Sequence, residues 1–564
     1  MIFKSQLPPV DISDLDLVSF CLSEAKREFA RSTNKNTFAL REDTSGISFT
    51  IFDIEKYSKQ FASGLIHNLG FKDNDVLALF TPNTVYFPIV VFGTLMSSGI
   101  CTLANPTYTP RELAHQLRDS GSKAIATQSY LLPTVKKALE LAGLNFSDSQ
   151  IILLDNAPPA ASAHPHINNF YSPAPFNIFK INCPNMSKDR VAILFYSSGT
   201  TGVSKGVMLT HKNLVTSITI NSNFFFLDGY LDESVHPRCF LAVLPHYHVY
   251  GFVINLLMGI CTATGNIIVP KYETTNFMYL VQKYRVTFCH VVPPIIVSIL
   301  NFQNSADYDI SSCKFFMTGA APLGKDVLAK FSKTYPNIYV VQAYGMTETS
   351  PTVTNAFKTH PHDGSSGVLL SNMDSKVVDE DGNPLGFNQV GEICMRGPNV
   401  MKGYLNNPEA TANSIDSEGF MHTGDIGYVG TNYNYYIVDR KKELIKYKGY
   451  QVPPAELESL LYLHEDVADS AVIGIYLEDQ ATEVPKAFIA LSHKNSNLSP
   501  SQVDEKVAQI LEWINSQVAP HKKLRGGIQV LDSIPKTASG KILRKDLRAM
   551  EKAQSDIKKA KNKL

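Results

Sequence analysis

Between Ile54 and Gly70 the apolar residues Tyr57, Phe61, Leu65, Ile66 and Leu69 return at helical spacing, which predicts an amphipathic helix ended by Gly70. Val76 to Phe80 is an unbroken apolar run followed by Thr81, Pro82 and Asn83, the pattern of a buried strand and a turn. A second helix is expected over Pro110 to Ser120, with Thr109 as cap, Pro110 in the first turn and Glu112 at the capping-box position. Val191 to Phe195 reads as another buried strand, and LAVLPHYHVYGFVINLLMG sets a strand, a histidine pair and an apolar helix in succession. Strands follow at Ile267 to Val269, Thr287 to Val292 and Lys314 to Met317, with a helix between the first two. Strands alternating with helices predict an α/β fold with mostly parallel sheets.

Two stretches interrupt this rhythm. Residues 155 to 175, DNAPPAASAHPHINNFYSPAP, have no period and many prolines, and read as a surface excursion. Near residues 438 to 441, VDRKKE concentrates charge between apolar strands. Beyond it the expected elements are a helix from about Pro454, strands near Val467 to Ile475 and Ala487 to Leu491, and a helix from Pro500 to Val518. This predicts a large N-terminal domain over 1–438, with parallel or mixed sheets and flanking helices, and a smaller α+β C-terminal domain over 439–564. The smaller one has roughly 120 residues, an ordinary domain size.

Composition narrows the function. A chain of 564 residues exceeds one ordinary core, and 44% hydrophobic with 18% charged residues excludes disorder over most of it. Lysine plus arginine equal aspartate plus glutamate at 52 each, so no global field draws the protein to nucleic acid, and none is expected as a partner. The 8 cysteines are scattered without C-x-x-C or metal spacing, as in an intracellular protein with reduced thiols. The N-terminus, MIFKSQLPPVDISDLD, is not read as a secretory signal. The apolar runs around 86 to 101 and 249 to 262 are too short and too broken to span a bilayer, so a soluble protein is expected.

The densest chemistry lies in residues 196 to 211, YSSGTTGVSKGVMLTH. Gly199, Gly202 and Gly206 let bare backbone approach a ligand, and Ser197, Ser198, Thr200, Thr201 and Ser204 supply donors. Lys205 adds a fixed positive charge, and the whole suits a cluster of polyphosphate oxygens. Lys205 is followed by Gly206, so the spacing is not that of the ordinary nucleotide-hydrolase loop. Downstream stand TGAAPLG at 318–324, QAYGMTETSP at 342–351, HTGDIGY at 422–428, IVDRKKELIKYKGYQVPPAELE at 437–458 and PKTASGKILRK at 535–545.

These six stretches, in this order, resemble the motifs of the acyl-adenylate-forming superfamily, which holds acyl-CoA synthetases, peptide-synthetase adenylation domains and beetle luciferases. The stretch 437–458 most resembles the branch of 4-coumarate:CoA ligases and luciferases. The resemblance implies ATP, Mg²⁺ and coenzyme A as co-substrates and cofactors, and a carboxylic acid that is first adenylated and then joined to the thiol. It implies a nucleotide held by Ser197, Ser198, Gly199, Thr200, Thr201, Gly202 and Lys205, by Gly319, Ala320, Ala321 and Pro322, and by Gln342, Ala343, Tyr344, Gly345, Met346 and Thr347. Tyr344 would stack on adenine, Asp425 and Arg440 would hold the ribose beside Ile437, and Glu348 would hold Mg²⁺.

By the same resemblance Lys541 bridges the substrate carboxylate and the α-phosphate, assisted by Thr201 and Lys205, and Lys442 lies at the hinge of a mobile C-terminal domain. Lys446 and Gln451 would reach the adenylate after that domain turns, with Lys448 and Gly449 on the pantetheine route. His248 would stand at the mouth of the acyl pocket, lined by Tyr250, Val253, Met317, Gly319, Ala343, Met346 and Pro351. Met317, Val253 and Ala343 replace a lysine, an asparagine and a glycine common in the plant phenolic ligases. A wall without those donors leaves a ring hydroxyl unpaired at a cost of about 1–3 kcal/mol. The expected substrate is therefore a less polar acid, such as cinnamate, phenylacetate or a medium-chain fatty acid, rather than caffeate. Two alternatives stay open: an adenylating enzyme with another acceptor, a carrier protein or luciferase-like oxidation, and a catalytically silent nucleotide-binding protein. The C-terminal Asn562, Lys563 and Leu564 are similar to the Ser-Lys-Leu peroxisomal address but depart at the first residue, so the peroxisome is expected ahead of the cytosol.

Overall fold

The computed structural model describes the chain except for residues 33–35, 158–161, 182, 198–203, 231–236, 360–362, 449, 478–481, 493–494, 496–497, 538–539 and 562–564. Of 184, 326 and 555–561 it describes the backbone alone. The C-terminal Asn-Lys-Leu and most of the glycine-rich loop therefore lie outside the described residues.

Among those residues a 7-stranded and a 9-stranded sheet carry the N-terminal part. The first is built on Val76–Phe80, with Ile100–Ala104 and Ser122–Thr127 parallel on either side and Val191–Ser197 parallel to Ile100–Ala104. Every residue of Val76–Phe80 is buried, as a parallel strand covered on both faces requires. Lys205–Thr210 returns antiparallel to Val191–Ser197, so residues 198–204 join two adjacent strands. The second sheet has Cys239–Ala242, Phe288–Val291, Phe315–Thr318 and Tyr339–Gly345 in parallel order. A 5-stranded antiparallel sheet includes Met421–Val429 paired with Tyr435–Arg440.

Local signals act where the sequence places them. Thr109 and Glu112 form a reciprocal capping box at the start of Pro110–Asp119. Gly70 ends the helix Ile51–Leu69 with φ 63°, the left-handed cap that glycine adopts without strain. That helix begins one turn before the first apolar repeat, because Thr50 and Asp53 form a second capping box. It packs on the wholly buried helix Phe87–Met96. Gly93 permits the contact, since a Cβ there would stand 2.8 Å from both the Ser58 carbonyl and the Phe61 ring. The excursion at 155–175 carries the short helix Ile167–Phe170, whose Phe170 ring packs 5.2 Å from that of Phe61. The apolar segment after the histidine pair is wound wider than an α-helix over Tyr250–Leu257 before Met258–Cys261 resumes α geometry.

The C-terminal part has separate apolar cores. One gathers Ile445, Val452, Leu457, Val472, Ile489 and Ile514, and a smaller one gathers Ala471, Ile473, Phe488, Ile534 and Leu547. Its strands Val467–Leu477 and Thr482–Leu491 are antiparallel, and Ile528–Val530 lies parallel to the second. Arg544 pins these elements together: Nη2 lies 2.6 Å from Glu458 and Nε 2.8 Å from Glu443. Glu458 is buried, and burial raises its carboxyl pKa while Arg544 lowers it. Removing one partner of a buried ion pair strands the other at about 3–5 kcal/mol. Arg544→Met is therefore expected to lower the unfolding free energy of this part by that amount, read as a lower urea midpoint. Trp513, the chain's 1 tryptophan, packs against this core and reports the transition by fluorescence, and an unchanged midpoint would count against the buried pair.

Candidate active site

The carboxyl ends of the parallel strands open into a cavity of about 970 Å³ between the N-terminal sheets and the C-terminal part. Tyr196, Ser197 and Lys205 come from the first sheet, and Met317, Gly319, Ala320 and the turn Ala343 to Glu348 from the second. Thr423, Gly424, Arg440, Lys442 and Glu443 form a third side, and Lys536, Thr537 and Lys541 enter from the C-terminal part.

Asp425 and Arg440 are cross-strand partners, and Arg440 Nε stands 3.4 Å from Asp425 Oδ1. The Tyr344 hydroxyl donates to Asp425 Oδ2 at 2.7 Å. Burial raises the Asp425 pKa against the pull of Arg440. A short carboxylate whose two oxygens are oriented by tyrosine and arginine keeps acceptor lone pairs that suit vicinal hydroxyls.

Glu348, which also lines the cavity, is buried. Its Oε1 accepts from Ser197 Oγ at 3.2 Å and from the Tyr404 hydroxyl at 3.0 Å. Lys205 Nζ lies 4.9 Å above the Tyr404 ring, so a cation, a ring and a carboxylate form one connected row. Among the described residues no group of three or more His, Cys, Asp or Glu side chains could hold a metal ion. One carboxylate still fits Mg²⁺, which takes one or two protein oxygens and completes its shell with phosphates and water.

Lys541 is fixed at its backbone. Its N–H donates to Thr537 Oγ1 at 3.1 Å, and its carbonyl accepts from the Thr537 N–H at 2.8 Å. The same turn seats Gly540 against Val292. Burial, then Arg440, lower the ammonium pKa to about 8, opposed by Glu443, Asp425 and Glu348. His248 has its pKa lowered to about 4, by burial first and then by Lys541, so it is neutral at physiological pH. Tyr250 donates to the Met317 carbonyl at 2.8 Å, which fixes one wall beside Gly319 and Ala343. Gly345 could carry no side chain, because a Cβ would fall 1.8 Å from the Pro351 carbonyl.

The AMP-binding enzyme family matches residues 27–405, and its C-terminal domain matches residues 456–541. The chain is 39% identical over 562 residues to a 4-coumarate–CoA ligase of Pinus taeda, covering 97% of each. It is also 39% identical over 563 residues to 4-coumarate–CoA ligase 2 of Nicotiana tabacum, again covering 97% of each. The chain belongs to the AMP-binding enzyme family. Its fold resembles that of the anthranilate CoA ligase AuaEII bound to anthranoyl-AMP, with TM-score 0.81 and 20% identity over 96% of this chain and 98% of that one. Like its named relatives it is an AMP-forming enzyme of the acid–thiol ligase type.

Within this AMP-binding enzyme the expected site residues divide sharply. Ser197, Lys205, His248, Tyr250, Met317, Gly319, Ala320, Ala343 to Glu348, Pro351, Arg440, Lys442 and Lys541 line the cavity, and Asp425 is bonded to it through Tyr344 and Arg440. Ala321, Pro322, Gln342 and Ile437 do not line it, and Gln342 instead accepts from the Leu323 N–H at 3.1 Å. Val253 is fully buried inside the segment behind Tyr250 rather than on the cavity wall. Lys446 and Gln451 face each other across the hairpin Ile445–Tyr447 and Tyr450–Val452, exposed and outside the cavity together with Lys448. Ser198, Gly199, Thr200, Thr201, Gly202 and Gly449 lie outside the described residues. Sequence reasoning missed Tyr404, which links Lys205 to Glu348, and Glu443, which faces Lys541. Tyr404 lies in none of the quoted stretches and Glu443 lies in one that gave it no role, so only packing brings them in.

Proposed function

We propose that this enzyme joins an aromatic carboxylic acid with few polar ring substituents to coenzyme A, through an acyl-adenylate. The observation that carries the reading is the convergence of Lys541, Glu348 and the Tyr344–Asp425–Arg440 group on one cavity whose far wall is Tyr250, Met317 and Gly319.

In the first step a carboxylate oxygen attacks the α-phosphorus of ATP. A new P–O bond forms, the bond from the α-phosphorus to the α–β bridging oxygen breaks, and pyrophosphate leaves. Negative charge gathers on the transferring phosphoryl group, and the cavity lysines Lys541 and Lys205 oppose it. Asp425 and Arg440 hold the ribose, so the phosphorus is presented in line rather than by chance encounter. Glu348 would hold Mg²⁺, which supplies Lewis-acid neutralisation of the polyphosphate when bound.

In the second step the coenzyme A thiolate attacks the acyl carbon, the carbon–oxygen bond to phosphate breaks, and AMP leaves with that oxygen. Lys446 and Gln451 stand outside the cavity while Lys541 stands inside it, so this step requires the C-terminal part to turn about residues near Lys442. The turn exchanges one lysine for the other on the same adenylate.

The apolar wall and the named relatives together support cinnamate-like acids. Pyrophosphate release across a panel of acids tests this. Cinnamate and phenylacetate are expected to exceed caffeate by about fivefold or more in kcat/KM, the loss from leaving at least one of its two ring hydroxyls unpaired. A preference for dihydroxylated rings would refute it.

A further inference from the structure

The helix Pro454–Leu461 of the C-terminal part packs against Tyr435–Arg440 and the helix Lys325–Thr334 of the N-terminal part. The start of that helix is incomplete on its own. Its cap residue is Pro453, which makes no side-chain cap hydrogen bond, and its first residue is Pro454. Neither proline has an N–H, so Ala455 carries the first backbone donor of the helix. That donor is satisfied from the other part: the Ala455 N–H donates to Asp439 Oδ2 at 3.1 Å.

Asp439 stands on the N-terminal side of the pivot near Lys442. It lies on the strand Tyr435–Arg440, opposite Ile426 of Met421–Val429 in the 5-stranded sheet. Its other oxygen, Oδ1, accepts from the Arg440 N–H at 2.7 Å. One carboxylate thus holds a strand end before the pivot and a helix end after it. The side chain is buried. Burial raises its pKa, opposed first by the Arg544 charge and then by the bond from Ala455. Arg544 and Ala455 both follow Lys442, so a turn there takes away the two groups that most favour the charged form. A carboxylate at a helix N-terminus is held by backbone donors and by the positive end of the helix dipole.

The same face of the helix touches the N-terminal part a second time. Ser459 lies four residues after Ala455, one turn along. A Cβ on Gly324 would stand 2.7 Å from Ser459 Cβ and 2.8 Å from its Oγ. Gly324 has φ −60°, a backbone that any residue adopts, so the close approach to Ser459 is what glycine serves here. The helix is therefore docked at two points, one polar and one steric.

We propose that Asp439 is a positioning residue for the first half-reaction. By capping Pro454–Leu461 across the boundary it holds the C-terminal part where Lys541 occupies the cavity, and its release accompanies the turn that brings Lys446 in. This rests on the two-step ligase reading and deepens it, by naming a contact that sets the balance between the two positions. Loss of a helix cap changes such a balance by about 2- to 30-fold.

Single-turnover rates of the two half-reactions test it, with the best acid of the panel above. Pyrophosphate release reads the first, and thioester formation from the pre-made acyl-adenylate and coenzyme A reads the second. Asp439→Ala is expected to raise the ratio of the second rate to the first by about 2- to 30-fold. Asp439→Asn, which keeps an oxygen that accepts from Ala455, should hold the ratio within about twofold of the parent. Gly324→Ala approaches the same docking from the steric side: its methyl group displaces Ser459, so the ratio should move the same way. That variant decides the matter if Asp439→Ala does not fold. Equal loss in both half-reactions for Asp439→Ala would mark a merely structural residue and overturn the assignment. A ratio moved toward adenylate formation overturns it too, as does a shift in Asp439→Asn as large as in Asp439→Ala. A parent that performs neither half-reaction would overturn the ligase reading itself. A parent that performs both, with a ratio indifferent to Asp439→Ala, overturns the role of Asp439 alone.

Discussion

Lys541→Ala is expected to slow adenylate formation by about 10²- to 10³-fold, the usual loss when a buried charge aimed at a developing anion is removed. Thioester formation from a pre-made acyl-adenylate should change far less, because the proposed second step runs with Lys541 withdrawn. Single-turnover assays of the two half-reactions separate these outcomes, and equal loss in both would sink the two-state reading. Acidity adds a second signature. With the ammonium pKa lowered to about 8 by burial and Arg440, kcat/KM for ATP should fall as pH rises through 8, where the cation is lost. Bound polyphosphate favours the cation, so the same limb in kcat should lie at higher pH. Lys541→Arg should move the limb beyond the accessible range even if the rate is lower. The stability consequence has the opposite sense. The unfolded chain binds this proton more tightly than the folded one, so this group makes stability rise with pH between about 8 and 10.5.

The second large effect is expected at Glu348. Glu348→Gln keeps an oxygen that can accept from Ser197 and Tyr404 but removes the charge. Adenylate formation should require at least about tenfold more Mg²⁺ for half-saturation, with a slower rate at saturation. Tyr404→Phe should produce a smaller shift in the same direction, because it frees the carboxylate to wander without discharging it. Chelation of divalent cations should abolish the first half-reaction in the parent. Titrating Mg²⁺ at fixed ATP reads all three, and an unchanged titration in Glu348→Gln would assign the metal elsewhere.

Much of the fold was written locally. Thr109 with Glu112, Gly70 with its left-handed φ, and the unbroken run Val76–Phe80 each act through neighbours within a few residues, so a linear reading reaches them. The same reading starts the helix Ile51–Leu69 too late, because Thr50 and Asp53 cap it ahead of its first apolar repeat. It also does not foresee the wide winding of Tyr250–Leu257. A Cβ on Gly251 would stand 2.3 Å from the Pro245 carbonyl, a contact that arises only once the segment is folded.

The site divides in the same way. Lys541, Glu348, Asp425 and Arg440 lie in stretches that resemble the acyl-adenylate-forming motifs, and that resemblance implied their roles. Tyr404 carries no mark in the sequence, and Glu443 lies in a quoted stretch that gave it no role. Tyr404 reaches Glu348 across 56 positions. The primary structure alone determined which chemical groups are present and which short segments are helical or extended, because those depend on side-chain type and on contacts between near neighbours. Tertiary packing decided which lysines line the cavity and which carboxylates are buried beside it. Those properties depend on the loss of water and on distances between strands far apart in the chain, and no local pattern encodes either.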